Sequence, residues 1–393
     1  MKKQKVLLVN KFYYNRGGDC VATLALEKLL LEKGYEVAIF SMQYPQNIPS
    51  RYDNYYPSEV SFTGGIKNKL NAAARIFGIG DVKKQFLKLL KDFNPDVVHL
   101  HNIHSYISPI VAKLAKIHGC KVIWTMHDYK LICPSYLCYN RGKICEKCVS
   151  SSTLNVIKNR CMKDSLLASS LAYLESVYWS KKKLISYTDK FIAPSNFMKE
   201  MLVKASFPQE KIEVLPNFIN REFSEEGDIK KEDYYCFVGR LEDIKGIRTL
   251  VEAAKQLPYR LIIIGDGSLK NKFINSPSNI EFVGFKEWSD IEKILSRAKF
   301  LVTPSECYEV FGLGNIEAQC LGTPVLGANI GGIPETITAP YCGMLFKSYD
   351  VQDLKTKIEI MYSRVFDYEL IRESARSKFS KESYYNKIVN LYY

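Results

Sequence analysis

The stretch FLVTPSECYEVFGLGNIEAQCLGTPVLG, Phe300–Gly327, reads as one strand–loop–helix–strand unit. Phe300–Thr303 and Pro324–Gly327 are short apolar runs without period-two alternation, as in strands buried on both faces of a parallel sheet. Asn315–Leu321 between them has helical spacing, and parallel strands need such a crossover. The same alternation runs outward in both directions. Further strands are expected at Val6–Asn10, Val37–Phe40, Val97–His101, Val122–Thr125 and Phe191–Pro194, then at Tyr235–Val238 and Leu261–Ile264. Helical patterns lie between them at Cys20–Lys33, Val82–Phe93, Ile107–Ile117, Phe197–Lys204 and Ile247–Gln256. Alternation repeated in two halves predicts an α/β chain of two doubly wound domains. In such sheets ligands bind beyond the carboxyl ends of the strands.

The boundary is placed at the turn VLPNFIN, ahead of a charged stretch from Glu222 to Asp233. It divides residues 1–215 from 216–376. The aromatic-rich segment 377–393 is read as a helix that either trails free or packs back on the first domain.

With 393 residues, 47% hydrophobic and 25% charged, the chain has the composition of a globular protein of two domains. It carries no apolar run of the ~18–20 residues that a membrane span needs. The apolar stretch Val6–Val9 is too short for a signal peptide, so a cytoplasmic chain with mostly reduced cysteines is expected. Residues 1–200 hold 30 Lys+Arg against 15 Asp+Glu, a net of +15; the remaining 25 and 27 give −2. The excess positive charge therefore lies in the first half, which should attract an anionic surface or ligand.

Chemistry is concentrated just after the strands. In Ser305–Val325 the carboxylates Glu309 and Glu317 are separated by seven residues that include Phe311-Gly312-Leu313-Gly314. Gly312 and Gly314 let a ligand approach the backbone, and the start of the following helix can hold a phosphate on its free N–H groups. Carboxylates beside a phosphate must face hydroxyls, such as those of a sugar or ribose. The plainer alternative is a capped helix with two solvated Glu. In FVGRLEDIKGIRTL, Arg240 follows a strand at once and Lys245 comes five residues later. Two cations at a strand exit suit a diphosphate, though they also suit an ordinary surface. Gly265 and Gly267 of GDG mark another turn after a strand. Gly17 and Gly18 of NRGGD lack the full dinucleotide pattern, which speaks for a slim loop beside a substrate.

His99, His101 and His104 cluster at one strand end and His127, in TMHD, at the next. His99 and His101 share a face of their strand, and packing and hydrogen bonding suit these two better than a metal; His127 is a candidate substrate contact. Cys133, Cys138, Cys145 and Cys148 stand within sixteen residues, with Cys161 a possible substitute. They are read either as a structural zinc knuckle or as thiols with no ligand.

Taken in order, NRGGD, TMHD, APSNF, LPN, GRL…KG, GDG, E-x7-E, LGTPV and GGIPE resemble the family 4 glycosyltransferases (glycosyl transferases group 1) over nearly the whole chain. The resemblance implies a GT-B fold, two Rossmann-like domains facing across a cleft, and transfer of a hexosyl-type sugar from a nucleotide-diphosphate sugar with retention of configuration. Implied roles follow. Arg240 and Lys245 hold the diphosphate, and Glu309 and the amides of Phe311, Gly312, Leu313 and Gly314 meet sugar and phosphate. Glu317 binds the ribose, Phe285 lies by the base, His127 is near the sugar, and Gly17 and Gly18 leave room for substrate. The chain contains no DxD sequence, so no catalytic metal or other cofactor is expected. Two features depart from the family pattern, NFI after the Pro and the Cys insert, and both bear on the acceptor side.

The implied acceptor domain is the basic one. Ile66–Lys91 and Ser170–Tyr187 mix bulky apolar and aromatic residues with lysines, which suits an anionic membrane surface and a lipid-linked saccharide acceptor in cell-surface polysaccharide synthesis. Nucleic acid is not expected as a partner, because no recognition motif accompanies the charge. The rival readings are a sugar-nucleotide 2-epimerase or a phosphorylase of the same fold, and a protein that binds sugar nucleotides without turning them over.

Overall fold

A computed structural model describes residues 4–223, 230–273, 275–337 and 339–393. The middle of the charged stretch after Glu222 lies outside the described residues. The chain forms two compact units. One holds the residues up to Cys138 with Cys145–Pro216 and Tyr384–Tyr393; the other holds Tyr139–Ile144 and Asn217–Ser383.

The first unit is built on β1 (Lys5–Val9), β2 (Glu36–Phe40), β3 (Val97–Leu100) and β4 (Lys121–Thr125). A two-stranded antiparallel hairpin, β5 (Tyr139–Asn140) and β6 (Lys143–Ile144), belongs to the second unit. The first sheet is completed by β7 (Lys190–Ala193) and β8 (Ile212–Val214), in the order β2-β1-β3-β4-β7-β8. The second unit contains β9 (Tyr234–Val238), β10 (Arg260–Ile264), β11 (Ile280–Gly284), β12 (Leu301–Thr303), β13 (Val325–Ala328) and β14 (Gly343–Phe346), in the order β11-β10-β9-β12-β13-β14. Every pairing within these two six-stranded sheets is parallel.

Apart from the edge strand β2, the strands foreseen as continuous apolar runs are the central ones, and their side chains make the core. Val6, Leu7, Leu8 and Val9 are fully buried in the first unit, as are Tyr235, Leu261 and Ile263 in the second. β8, β11 and β14 escaped the apolar-run criterion. All three are sheet edges, where one flank meets solvent; β11 carries the exposed Glu281. Helices close both faces, and two of them begin at Ser195 and Asp350, whose side chains accept from backbone N–H groups of the first turn. Among the described residues no helix is long and apolar enough to cross a membrane.

The strand order reverses between β1 and β3 in the first sheet and between β9 and β12 in the second. Parallel sheets bind ligands at that switch point, beyond the carboxyl ends of the strands. In the second unit the loops concerned begin at Gly239 and Pro304. In the first they begin at Asn10 and His101, with the β4 exit at Met126 alongside.

Candidate functional site

At the second unit's switch point, the loop after β9 carries Arg240 and Lys245 and the loop after β12 carries Ser305 and Glu309. Two glycines bring these loops together. Gly246 has φ +67, and a Cβ there would stand 1.8 Å from the carbonyl oxygen of Pro304. Only glycine lets the β9 loop lie on the β12 exit, where the amide of Glu306 donates to Ile244 O at 2.9 Å. Gly331, of the GGIPE segment, has φ +58 and lies against Glu309, whose carbonyl oxygen would be 2.6 Å from an added Cβ. Next to it, the Gly332 amide donates to that same carbonyl at 2.7 Å.

The result is a compact charge cluster. Lys245 Nζ lies 2.5 Å from Glu309 Oε1, and the Ser305 hydroxyl donates to the same oxygen at 2.8 Å. Burial alone would push the Glu309 carboxyl up. The Lys245 ammonium, its hydrogen bond, the Ser305 hydroxyl and the charge of Arg240 outweigh burial and hold the carboxyl below its usual range. For Lys245 burial works against the charge, and Glu309 and its hydrogen bond reverse that, so its pKa is raised. Arg240 differs: its side chain is 64% exposed, and its one ion pair among the described residues is with the neighbouring Glu242, at 2.8 Å. It is the cation most accessible to a ligand.

The helix Leu313–Cys320 starts beside this cluster, with Gly312 as its N-cap at φ +103. Within the quartet implied for sugar and phosphate, the side chains divide. Phe311 is buried against Ile316, Cys320, Ala375 and Phe379, so its ring packs and only its backbone is available. Gly314 is exposed and Leu313 is half-buried. Asn315, which the sequence reading left aside, is buried and anchors the helix. It accepts from the Thr303 hydroxyl at 2.5 Å and donates to Thr336 Oγ1 at 2.9 Å. Its sequence signal is a pair of polar residues at helical spacing, Asn315 and Gln319, on the buried face of the helix.

Glu317 is not brought into the Lys245–Glu309 cluster. Arg221 Nε donates to its Oε1 at 2.6 Å, and the Arg221 guanidinium stands 4.0 Å from the Trp288 ring centroid. Burial raises the Glu317 carboxyl in spite of Arg221. Arg221 was not singled out in the sequence, because only the fold brings it 96 residues along to its partner. Gly265 and Gly267 pack on the backbone of Gly239 and Leu241, shaping the loop that presents Arg240. Phe285, immediately after β11, is 70% exposed.

At the first unit's switch point, Asp19 follows Gly17 and Gly18 at the start of the helix Gly18–Glu32. It accepts from Asn102 Nδ2 at 3.0 Å and pairs with Lys11 Nζ at 3.5 Å. Asn10 and Asn102, both buried, tie the exits of β1 and β3 together, the Asn102 amide donating to Asn10 Oδ1 at 3.1 Å. Burial opposes ionisation of Asp19, but Lys11, His127 and Asn102 leave its pKa lowered. His127, half-buried at the β4 exit, has its Nε2 2.9 Å from Nδ1 of His101. His99 and His104 are turned inward. His99 binds the hydroxyls of Tyr392 and Thr125 at 2.8 and 2.7 Å, and the His104 ring stacks on Trp124.

Of the four cysteines, Cys133, Cys138 and Cys148 are buried and Cys145 is half-buried. Cys133 Sγ stands 3.2 Å from the Ser135 hydroxyl, and the Cys145 amide donates to Cys138 O at 2.8 Å. Among the described residues no group of three or more His, Cys, Asp or Glu side chains is arranged to hold a metal ion.

The comparisons with known proteins bear on both units. The family described as Glycosyltransferase Family 4 matches residues 17–223, and Glycosyl transferases group 1 matches residues 219–378. An uncharacterized 42.6 kDa protein in the cps region of Klebsiella pneumoniae is 27% identical over 390 residues, covering 94% of this chain and 97% of its own length. An uncharacterized glycosyltransferase of Methanocaldococcus jannaschii is 32% identical over 177 residues, 44% of this chain and 49% of that protein. Sucrose-phosphate synthase from Thermosynechococcus elongatus superposes with a TM-score of 0.70 at 19% identity, over 99% of this chain and 98% of that one. Anabaena Alr3699/HepE, solved in complex with UDP and glucose, gives 0.66 at 16% identity, with 98% of each chain covered. At those identities the two structures speak for the fold, and the first family match, spanning more than half of the residues, speaks for descent. The chain belongs to the family 4 glycosyltransferases and is a glycosyltransferase of the GT-B fold.

Proposed function

We propose that the protein transfers a sugar from a nucleotide-diphosphate sugar, with retention of configuration, to a lipid-linked saccharide in cell-surface polysaccharide synthesis. The observation that carries the donor half is the cluster of Arg240, Lys245, Ser305 and Glu309 at the second unit's switch point. Cleaving a sugar–diphosphate bond builds negative charge on the leaving group, and fixed cations stabilise it. Exposed Arg240 and the Lys245 ammonium take the diphosphate together with the first amides of the Leu313–Cys320 helix. Glu309, kept ionised by its partners, accepts from hydroxyls of the sugar. Glu317, steadied by Arg221, offers its second oxygen to the ribose, and Phe285 stacks on the base. His127, at the first unit's own switch point, offers a contact to substrate. The acceptor hydroxyl adds on the face from which the diphosphate leaves, and its proton passes to a leaving phosphate oxygen. The bound UDP of the Anabaena structure and the cps-region relative support a nucleotide donor and a polysaccharide setting.

Turnover of Arg240→Ala and Lys245→Ala tests the donor assignment. Each is expected to fall about a hundredfold or more, the ~3–4 kcal/mol of one lost transition-state contact. Near-normal turnover in either rejects the diphosphate role. A thermal-shift panel of nucleotide sugars identifies the donor.

A lipid-borne acceptor is supported by the first unit's surface. The Ile66–Ile76 helix and the Leu166–Tyr178 helix meet at their ends, where Trp179 Nε1 donates to Ile76 O at 2.8 Å. They expose Ile66 at 79%, Leu70 at 64% and Leu167 at 82%, with Lys67 and Lys69 beside them. Apolar side chains among lysines suit an anionic bilayer, each lysine contributing ~1 kcal/mol. Flotation with vesicles that contain anionic lipid, but not with neutral ones, is expected; no binding to either discards the membrane contact.

A further inference from the structure

His99, His101 and His127 form a stack in the first unit. The ring centroids are 4.6 Å and 5.2 Å apart, with both interplanar angles 17°. His99 has a hydroxyl at each nitrogen. The His101 ring has one hydrogen-bond partner among the described residues: its Nδ1 meets Nε2 of His127 at 2.9 Å, and its Nε2 is buried with none. The residue itself is firmly seated. Its amide donates to Val9 O and its carbonyl accepts from Trp124 Nε1, both at 2.9 Å.

A single hydrogen lies between the two rings, and the orphaned atom says whose it is. If His127 donated, neutral His101 would carry its own hydrogen on Nε2, as a buried N–H without an acceptor. If His101 donates, the buried atom is a bare lone pair. Buried N–H groups without acceptors are the rarer and less tolerated case. Burial disfavours the charged form of both rings; the His127 pKa is lowered to about 4.

We propose that His101 is a positioning residue: by donating from Nδ1 it fixes His127 as the Nδ1–H tautomer, so that His127 presents a hydrogen-bond donor at the exit of β4. Nδ1 of His127 has no hydrogen-bond partner among the described residues, and nearby Asp19 is already held by Lys11 and Asn102. A ring in this tautomer can donate to a sugar hydroxyl or a phosphate oxygen. It has no lone pair to offer there, so His127 is excluded as a general base at that nitrogen. The tautomer stands on the ring geometry alone; the ligand it meets rests on the function proposed above.

The experiment is long-range ¹H–¹⁵N spectroscopy of the full chain labelled at histidine. With five histidines in the sequence, single substitutions assign every ring. In the wild type His127 is expected to show a protonated Nδ1 and a bare Nε2; the reverse pattern overturns the proposal and needs no variant to be seen. His101→Gln keeps an N–H donor and should preserve the pattern. His101→Leu should shift His127 toward Nε2–H, the form free histidine favours, and lower kcat about tenfold, the worth of one hydrogen bond. Equal kcat in the Gln and Leu variants overturns the positioning role. If the wild-type tautomer is as expected but His127→Phe turns over normally, the substrate contact fails while the tautomer stands.

Discussion

Lys245 and Glu309 show why residue identity matters at this site. Each is about three-quarters buried, and each stays charged because the other is there. Removing one partner leaves a largely buried ion. Lys245→Ala should therefore lose stability as well as turnover, whereas Arg240→Ala, exposed and paired with the neighbouring Glu242, should lose turnover alone; melting temperatures separate the two. The pH dependence follows from the direction of the shift. The Glu309 carboxyl is held lower in the folded state than in the unfolded chain, so its stabilising contribution is complete above the unfolded value, ~4.3 for Glu. That contribution is lost as pH falls through the lower folded value. Glu309→Gln is expected to flatten the acid limb of stability against pH, measured by urea unfolding between neutral and acid pH.

At the scale of elements, the site depends on how few atoms connect the loops. Asn315 joins the end of β12 to the Leu313–Cys320 helix and, through Thr336, to the short helix Ile333–Thr336. Asn315→Ala leaves two hydroxyls without this partner in the interior. Thr336 Oγ1 keeps its bond to Ile333 O, so a loss of about 1–3 kcal/mol in unfolding free energy is expected, the cost of one unsatisfied buried group. Gly331→Ala acts differently, since its Cβ meets the Glu309 backbone and its φ of +58 is strained for any other residue. It should cost ~1–3 kcal/mol and lower kcat more than Asn315→Ala does, because it moves the carboxylate. Comparing kcat of the two variants checks this. These elements were legible in unequal measure. Central strands announce themselves as unbroken apolar runs because both faces are covered. β8, β11 and β14 do not, because an edge needs no such run.

In the whole molecule the last ten residues rejoin the first unit although they follow the second in sequence. Tyr384, Ile388 and Tyr392 are buried, and the Tyr392 hydroxyl ends on His99 Nδ1 at 2.8 Å. Tyr392→Phe should cost ~1 kcal/mol, the net worth of one hydrogen bond. Deleting Tyr384–Tyr393 should lower the unfolding transition of the first unit and leave that of the second largely in place, as differential scanning calorimetry would resolve. A single unshifted transition would mean that this segment adds nothing to the first core.

Read alone, the sequence determined that two parallel α/β sheets form, and where their loops emerge, because buried strands and crossover helices have local periodicities. It also singled out Arg240, Lys245, Glu309 and His127, each standing just after a strand or within a glycine-marked loop. Partnership could not be read locally. That Lys245 grips Glu309, that Arg221 occupies Glu317, that Asn315 is a buried hub and that His101 meets His127 are contacts across 12 to 96 residues. Such contacts exist only once strand order has placed the loops side by side.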